Sequence, residues 1–268
     1  MRNLLFVGAL LIGLGFSENI FAQEKNSVLF NHLSIGASAG TSGIGLDLAM
    51  PMSNYLQMRV GVDAMPNIKY NTSLKINAPD KVNVYGQEIA VPNKVDIQAK
   101  SNLFNGKLLL DFYPSKGIFH ITVGTYFGSN KVMKVYNKEN GSLMDVTTAN
   151  KMIDVYNQTH PSDQIQKVGL ELGDYLLTPD ANGNVEANIQ VKRFKPYAGL
   201  GVGRAVPKKN IGFMLELGCQ FWGTPKIFTQ GHELTSENVG GNDGGVVKNI
   251  SKISIYPMLN FRLCGKLF

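Results

Sequence analysis

Histidine is the side chain best suited to moving a proton near neutral pH, and the sequence holds four: His32, His120, His160 and His232. His160 stands three residues before Asp163, and His232 adjoins Glu233 and precedes Asp243. Either group can contribute to a hydrolase or acyltransferase site, but that chemistry needs a nucleophile within reach of its base. No recognisable nucleophile context accompanies them. No histidine has metal-ligand spacing to another histidine or to Cys219 or Cys264, the two cysteines of the chain. An unliganded histidine is the simpler reading of each, and the sequence predicts neither metal nor cofactor. The run Gly199, Gly201, Gly203 alternates along a strand with no following helix, so it is a packing feature rather than a phosphate loop.

Eight further residues share a pattern: Asp47, Asp63, Asp111 and Glu216 against Arg59, Lys107, Arg262 and Lys266, four acids and four bases. Each lies in a stretch where apolar residues recur at every second position, and each falls on the other phase. Side chains of a β-strand alternate faces, so these stretches read as strands with one apolar and one polar face.

Eight such strands can be followed. They run over Leu33–Gly40, Ile44–Met50, Leu56–Ala64, Phe104–Phe112, Phe119–Gly128, Phe194–Gly203, Ile211–Trp222 and Val246–Phe268. The last is longer than an ordinary soluble strand of about five or six residues and matches the about 9–11 of a tilted strand crossing a bilayer. Short turns follow strands two, four and six, among them a tight turn at Val206–Asn210. Longer connections follow strands three, five and seven: a polar stretch over Asn71–Asn93 that reads as a loop or a frayed strand extension, a segment over Tyr136–Asn188 with a short helix near Asn150–Gln158, and a Gly-rich loop over Gly231–Gly245. Only the first turn on that side, Thr41–Gly43, is small. An even strand count allows the sheet to close and lose its edges. The expected fold is all-β: an eight-stranded antiparallel up-and-down transmembrane β-barrel with short periplasmic turns and long extracellular loops.

A barrel can carry its apolar face inward, as a soluble carrier, or outward, as a membrane protein. The polar face is rich in Gly, Gln, Asn and Thr and poor in long solubilising chains, which suits a crowded lumen, so it is placed inside. Counted from the short turns, Asp47, Arg59, Lys107, Glu216 and Arg262 fall in one layer, with Asp47 opposite Arg59 and Glu216 opposite Arg262. An eight-stranded interior is just wide enough for its side chains, which predicts a plugged, charge-paired lumen. Tyr55, Tyr70, Phe112, Phe119, Phe127 and Phe221 are expected as girdle anchors. Cys219 and Cys264 fall on opposite faces, predicting two free thiols.

The N-terminus has Arg2, an apolar run over Leu4–Phe16 and Ala22 before a polar stretch, the pattern of a secretory signal peptide over residues 1–22. Residues 23–268 are then the barrel domain. No Cys near Ala22 suggests a lipoprotein anchor. The net charge of +6 suits anionic lipid head groups or lipopolysaccharide, and is equally a plain solubility feature; no nucleic-acid partner is expected.

The whole mature chain resembles the small OmpA-like, porin-like outer-membrane β-barrels. Phe194-Lys195-Pro196-Tyr197-Ala198-Gly199-Leu200-Gly201-Val202-Gly203 is similar to the Pro-Tyr-x-Gly-x-Gly strand common in them. The resemblance implies a bacterial outer-membrane location and recognition of the C-terminal strand by the barrel-assembly machinery. One departure stands out. The family's terminal aromatic is in phase with the lipid-facing residues, whereas Phe268 is in phase with Arg262 and Lys266; a bulge or frayed end near Gly265 would restore the phase, and without one the departure weighs against recognition of this strand by the assembly machinery. No appended peptidoglycan-binding domain follows, so that role is not implied. The expected role is structural or surface interaction through the outer loops, with an unknown surface ligand. The alternatives are a narrow transport channel and an outer-membrane lipid- or peptide-modifying enzyme.

Overall fold

The computed structural model describes residues 31–77, 81–172, 175–234 and 249–268. The expected signal peptide and most of the Gly231–Gly245 loop lie outside these. In chain order the strands are β1 (Ser34–Gly40), β2 (Gly43–Pro51), β3 (Leu56–Ala64), β4 (Lys69–Asn77), β5 (Lys81–Val84), β6 (Gln87–Ala90), β7 (Lys94–Ser101), β8 (Phe104–Phe112), β9 (Phe119–Gly128) and β10 (Lys131–Asn137). Helix α1 (Met144–Thr159) follows, then β11 (Gly169–Leu172), β12 (Tyr175–Leu177), β13 (Glu186–Gln190), β14 (Phe194–Gly203), β15 (Ile211–Phe221), β16 (Lys226–Thr229), β17 (His232–Leu234) and β18 (Ile255–Lys266).

Eight of these strands close into a barrel in the order β1-β18-β15-β14-β9-β8-β3-β2, each antiparallel to its neighbours. They are the eight strands legible from period-two alternation, with one change at the end. The last strand begins at Ile255 rather than Val246 and stops at Lys266, with its register unbroken against both neighbours. Of the two devices expected near Gly265, a bulge is absent, and the strand instead ends two residues short of Phe268, whose carbonyl accepts the Leu33 N–H at 3.2 Å beyond the strand's end.

Alternation sorts the barrel's side chains completely. The outward positions hold Ile, Leu, Val, Phe, Met, Ala, Pro, Gly, Thr125 and Cys219, and no charged residue on any of the eight strands. Thr125 turns its hydroxyl back onto the carbonyls of Tyr126 and Lys195, at 3.3 and 3.4 Å. Exposed phenylalanines ring the end from which the long connections leave (Phe104, Phe127, Phe194, Phe221), and Tyr55, Phe112 and Phe119 sit at the other. Tyr70, expected in this girdle, lies on β4 outside the barrel.

Within the described residues the long connections are largely strands. They pair with one another as a second eight-stranded sheet, β12-β11-β4-β7-β10-β13-β16-β17, all at one end of the barrel. Of the two readings of Asn71–Asn93, loop or strand extension, the structure has strand: the stretch holds most of β4, which pairs with β7, and the small β5–β6 hairpin between them. One face of this outer sheet packs a core of its own, joining Ile76, Val95, Ile97 and Leu170 to Val82 and Val84 of the small hairpin and to α1. Helix α1 contributes Val146, Ala149, Asn150 and Ile153, at the i, i+3, i+4, i+7 spacing of one helical face. It starts six residues before the expected Asn150, without a side-chain cap that would mark it in the sequence, and stops before Pro161.

Two asparagines one face apart on α1 bind the following segment as a strand would. Asn150 donates to Val168 O at 2.7 Å and accepts from Val168 N–H at 2.8 Å, while Asn157 does the same with Ile165 at 2.9 and 2.8 Å. Because Ile153 is fully buried between these clasps, Ile153→Ala is expected to cost the outer unit about 2–5 kcal/mol. Limited proteolysis should then cut between residues 138 and 185, while the heat-dependent gel shift of the barrel stays as in the parent.

Candidate functional site in the barrel interior

The inward positions carry what the outer wall lacks. Asp47, Arg59, Asp63, Lys107, Asp111, Glu216 and Arg262 all point inside and are buried, in company with His120, Thr122, Tyr126, Lys195 and Tyr197. Lys266 does not join them. It sits half-buried at the end of β18, with Nζ 3.3 Å from His32 Nε2, because the strand runs out of the lumen before reaching it. Lys195 takes its place as the fourth interior base, fully buried, donating to Asn105 Oδ1 at 2.8 Å and Ser129 O at 2.9 Å. Sequence reasoning missed it, although its phase with Tyr197 on β14 carried the signal that could have found it.

Two clusters form. In the first, Arg59 Nη2 lies 2.7 Å from Asp111 Oδ1 and 2.6 Å from Glu216 Oε2. Thr122 Oγ1 sits between the same oxygens, at 2.7 and 2.8 Å. Tyr197 donates its hydroxyl to Glu216 Oε1 at 2.7 Å, and His120 Nε2 stands 3.3 Å from Oε2. In the second, Arg262 Nε donates to Asp47 Oδ1 at 2.8 Å, and Lys107 Nζ bridges Asp63 Oδ1 at 2.7 Å and Asp47 Oδ2 at 3.3 Å.

These partners differ from the expected ones. Arg59 faces Ala49 in register and Asp47 faces Gly61, so the two do not meet. In the barrel order β15 stands four places from β3, on the opposite wall, and the Arg59 side chain spans the lumen to reach it. Arg262 faces Ser38 on β1 and Met214 on β15, and passes over Gly36 to Asp47 on β2. A Cβ on Gly36 would meet the Arg262 guanidinium, just as one on Gly201 would meet the His120 ring and one on Gly218 the Tyr197 ring. The inward glycines are thus the room into which the long polar side chains fold.

The expected tight turn at Val206–Asn210 is also different. Its lead-in bends back under the barrel, so that Ala205 and Val206 are buried against Ala49 and Met214. Backbone groups of this segment are met by interior side chains: Ala205 O accepts from Ser34 Oγ at 2.6 Å and Arg262 Nη1 at 2.9 Å, Ala205 N–H donates to Tyr113 Oη at 3.0 Å, and Val206 N–H donates to Gln57 Oε1 at 2.9 Å. Buried backbone groups need such partners.

Asp111, His120 and Glu216 bring possible ligand atoms within 4.8 Å of one another, the makings of a metal site. The Arg59 guanidinium stands among them, however, so the cation these carboxylates face is the protein's own. The other histidines are not assembled with their expected acids. His160 stacks on Tyr156 at 4.3 Å while Asp163 accepts from the Tyr156 hydroxyl at 2.9 Å, and Glu233 pairs with Lys226 at 2.9 Å. Asp243 lies outside the described residues. Cys219 and Cys264 are both free.

Fold and interior together define a closed, eight-stranded antiparallel β-barrel with a charge-paired core. Two solved structures are similar to it in fold: CarO2 of Acinetobacter baumannii, at 14% identity over 90% of this chain and 100% of that one with a TM-score of 0.45, and CarO of the same organism, at 15% identity over 90% and 99% with a TM-score of 0.42. No protein-family model and no curated protein matches the chain.

Removing one partner from a buried ion pair leaves an uncompensated charge, which costs about 3–5 kcal/mol. Arg59→Met strands two carboxylates together and is expected to destabilise the folded barrel by at least that much in denaturant titrations. Arg59→Met combined with Asp111→Asn and Glu216→Gln should recover most of the loss; equal losses in the single and triple variants would show that the pairing contributes nothing.

Proposed function

We propose that the chain is a bacterial outer-membrane barrel whose lumen is closed by its own side chains, and that it serves to hold the outer sheet at the cell surface as an interaction platform. The observation that carries this reading is the sorting of charge: none on the outward positions of eight strands, and eight buried charged residues on the inward ones. A soluble protein rarely exposes so continuous an apolar surface, and a bilayer demands it, together with a closed sheet that leaves no strand edge unpaired. Strand lengths from seven to twelve residues suit a tilted crossing of about 9–11 residues.

A conducting pore would need a water path through the two clusters and past Ala205 and Val206, all of which are fixed by short hydrogen bonds. The closed lumen therefore favours display over transport. On this reading the short-turn end and both termini face the periplasm and the outer sheet faces the medium. Lipopolysaccharide surrounds the outer leaflet, and the β18 strand is the segment offered to the assembly machinery.

In planar bilayers the purified protein is expected to give near-zero conductance, and Glu216→Ala should not open it, because Arg59, Tyr197 and the 205–207 segment still fill the path; discrete channel openings by the parent protein would replace this reading with the transport one. Leu215→Arg on the outer wall should cost about 2–4 kcal/mol if that position lies near the bilayer midplane. Refolding into lipid vesicles, compared with the parent, measures it, and an unaffected variant would remove the membrane assignment.

A further inference from the structure

The outer sheet has a second face, turned away from α1 and the β5–β6 hairpin, and its chemistry is different. One row of residues crosses it in register: Lys69 opposite Lys100, Lys100 opposite Lys134, Lys134 opposite Asn188, and Asn188 opposite Phe228. Residues directly opposed on antiparallel strands share a face with Cβ atoms about 4.5–5.5 Å apart, and like charges placed so repel one another. Three consecutive lysines thus oppose the pairing of β4, β7 and β10 unless something anionic lies over them. Among the described residues only Lys134 of the three has an ion pair, with Glu186 at 2.8 Å, and that hydrogen bond holds the Glu186 carboxyl below the usual carboxylate range. Lys100 has no ion pair among the described residues, and neither has Lys131, which faces Gln190 nearer the barrel.

Lys100, Lys131 and Lys134, with Lys138, line a cleft of about 1040 Å³ whose walls also include the rings of Tyr136 and Phe228 and several carboxamides. Its two acids are already engaged: Glu186 by Lys134, and Asp180 by the backbone N–H groups of Asn182 and Asn184 at 2.8 and 2.9 Å. One acceptor is left over. Asn188 is 8% exposed, and its Oδ1 is buried with no hydrogen-bond partner, a position that costs free energy until a donor arrives. Its Nδ2 donates to Glu186 Oε1 at 3.0 Å, and turning the soft terminal torsion exchanges that bond for one in which the oxygen accepts from a donor in the cleft. An occupant that relieves both defects must bring negative charge for the lysines and hydroxyl donors for the carboxamides.

We propose that this cleft binds an acidic oligosaccharide, with Lys100 and Lys131 taking its carboxylate or phosphate groups, Asn188 and Gln190 its hydroxyls, and Tyr136 and Phe228 backing its sugar rings. The same chemistry is offered by the sugars of a glycolipid in the surrounding outer leaflet and by a free acidic polysaccharide. The inference builds on the reading that this sheet faces outward, although binding itself is a property of the cleft.

The test uses the full chain in detergent micelles with fluorescent oligogalacturonate, neutral dextran of equal length and inorganic phosphate as probes, at about 0.05 M and about 0.5 M salt. Oligogalacturonate should bind, more weakly at high salt, and dextran should not. Lys100→Gln with Lys131→Gln should lower affinity at least tenfold with the heat-dependent gel shift unchanged. Lys208→Gln with Lys209→Gln, which removes the same charge at the far end of the barrel, should leave affinity as it was. Equal loss in both pairs, equal binding of dextran, or phosphate binding as tightly as the oligosaccharide would each overturn the proposal. Lipopolysaccharide-containing vesicles supply the second source: binding to them that is lost in the Lys100 and Lys131 variant assigns the glycolipid, and failure of both saccharide probes rejects the class. Labelling of intact cells separates the two readings, since a cleft that binds in micelles but not on cells stands while the outward orientation falls.

Discussion

The guanidinium of Arg59 reaches from β3 across the lumen to Glu216 on the opposite wall and to Asp111 on the adjacent strand, and the rest of the interior is arranged around that span. A buried guanidinium is tolerable only when carboxylates and further hydrogen bonds replace the water it has lost. Thr122, Tyr197 and His120 supply those to Glu216 and Asp111. The span also fixes a distance between walls. Gly36, Gly201 and Gly218 leave space where a Cβ would strike Arg262, His120 and Tyr197, so the narrow barrel closes around large polar side chains without pushing its strands apart.

Charge balance follows the same logic. The interior holds Arg59, Lys107, Lys195 and Arg262 against Asp47, Asp63, Asp111 and Glu216, an even match. In the second cluster Asp47 is shared between Arg262 and Lys107, which lets one carboxylate serve two cations on separate strands. Lys195 is the exception. It rests on the neutral oxygens of Asn105 and Ser129 near the outer-sheet end of the lumen, where the barrel opens toward its connections. The opposite end is closed by backbone: Ala205 and Val206 enter the lumen because Ser34, Gln57, Tyr113 and Arg262 meet their peptide groups.

The eight barrel strands were legible because each has one face that must be apolar and one that must not, and period-two alternation records this in every strand. The same alternation assigned the charged residues to the interior, but not to their partners. Sequence register pairs only neighbouring strands, whereas Arg59 and Glu216 meet across the lumen and Arg262 crosses β1 above a glycine. Lys195 was hidden between Phe194 and Pro196 in a segment read for its glycines. The outer sheet was least visible of all. Its strands carry Lys, Asn and Gln on the exposed face, and its apolar face is completed by α1 and a small hairpin from distant parts of the chain, so no single stretch contains the pattern of a buried strand.

The outer sheet is joined to the barrel by very short links: β9 leads to β10 through Ser129 and Asn130, and β13 to β14 through Val191, Lys192 and Arg193. Strands that leave the barrel therefore continue almost directly into the sheet above it, and their spacing is inherited from the wall below. A filled lumen then has a structural consequence. Interior pairs that hold the walls at fixed separation also hold β10, β13 and β16 in place where they emerge, and with them the lysines and carboxamides of the exposed face. A hollow barrel of the same strand number would transmit its breathing to that face; one packed with ion pairs presents a surface preorganised before any ligand meets it, and preorganisation lowers the ordering cost that binding must overcome.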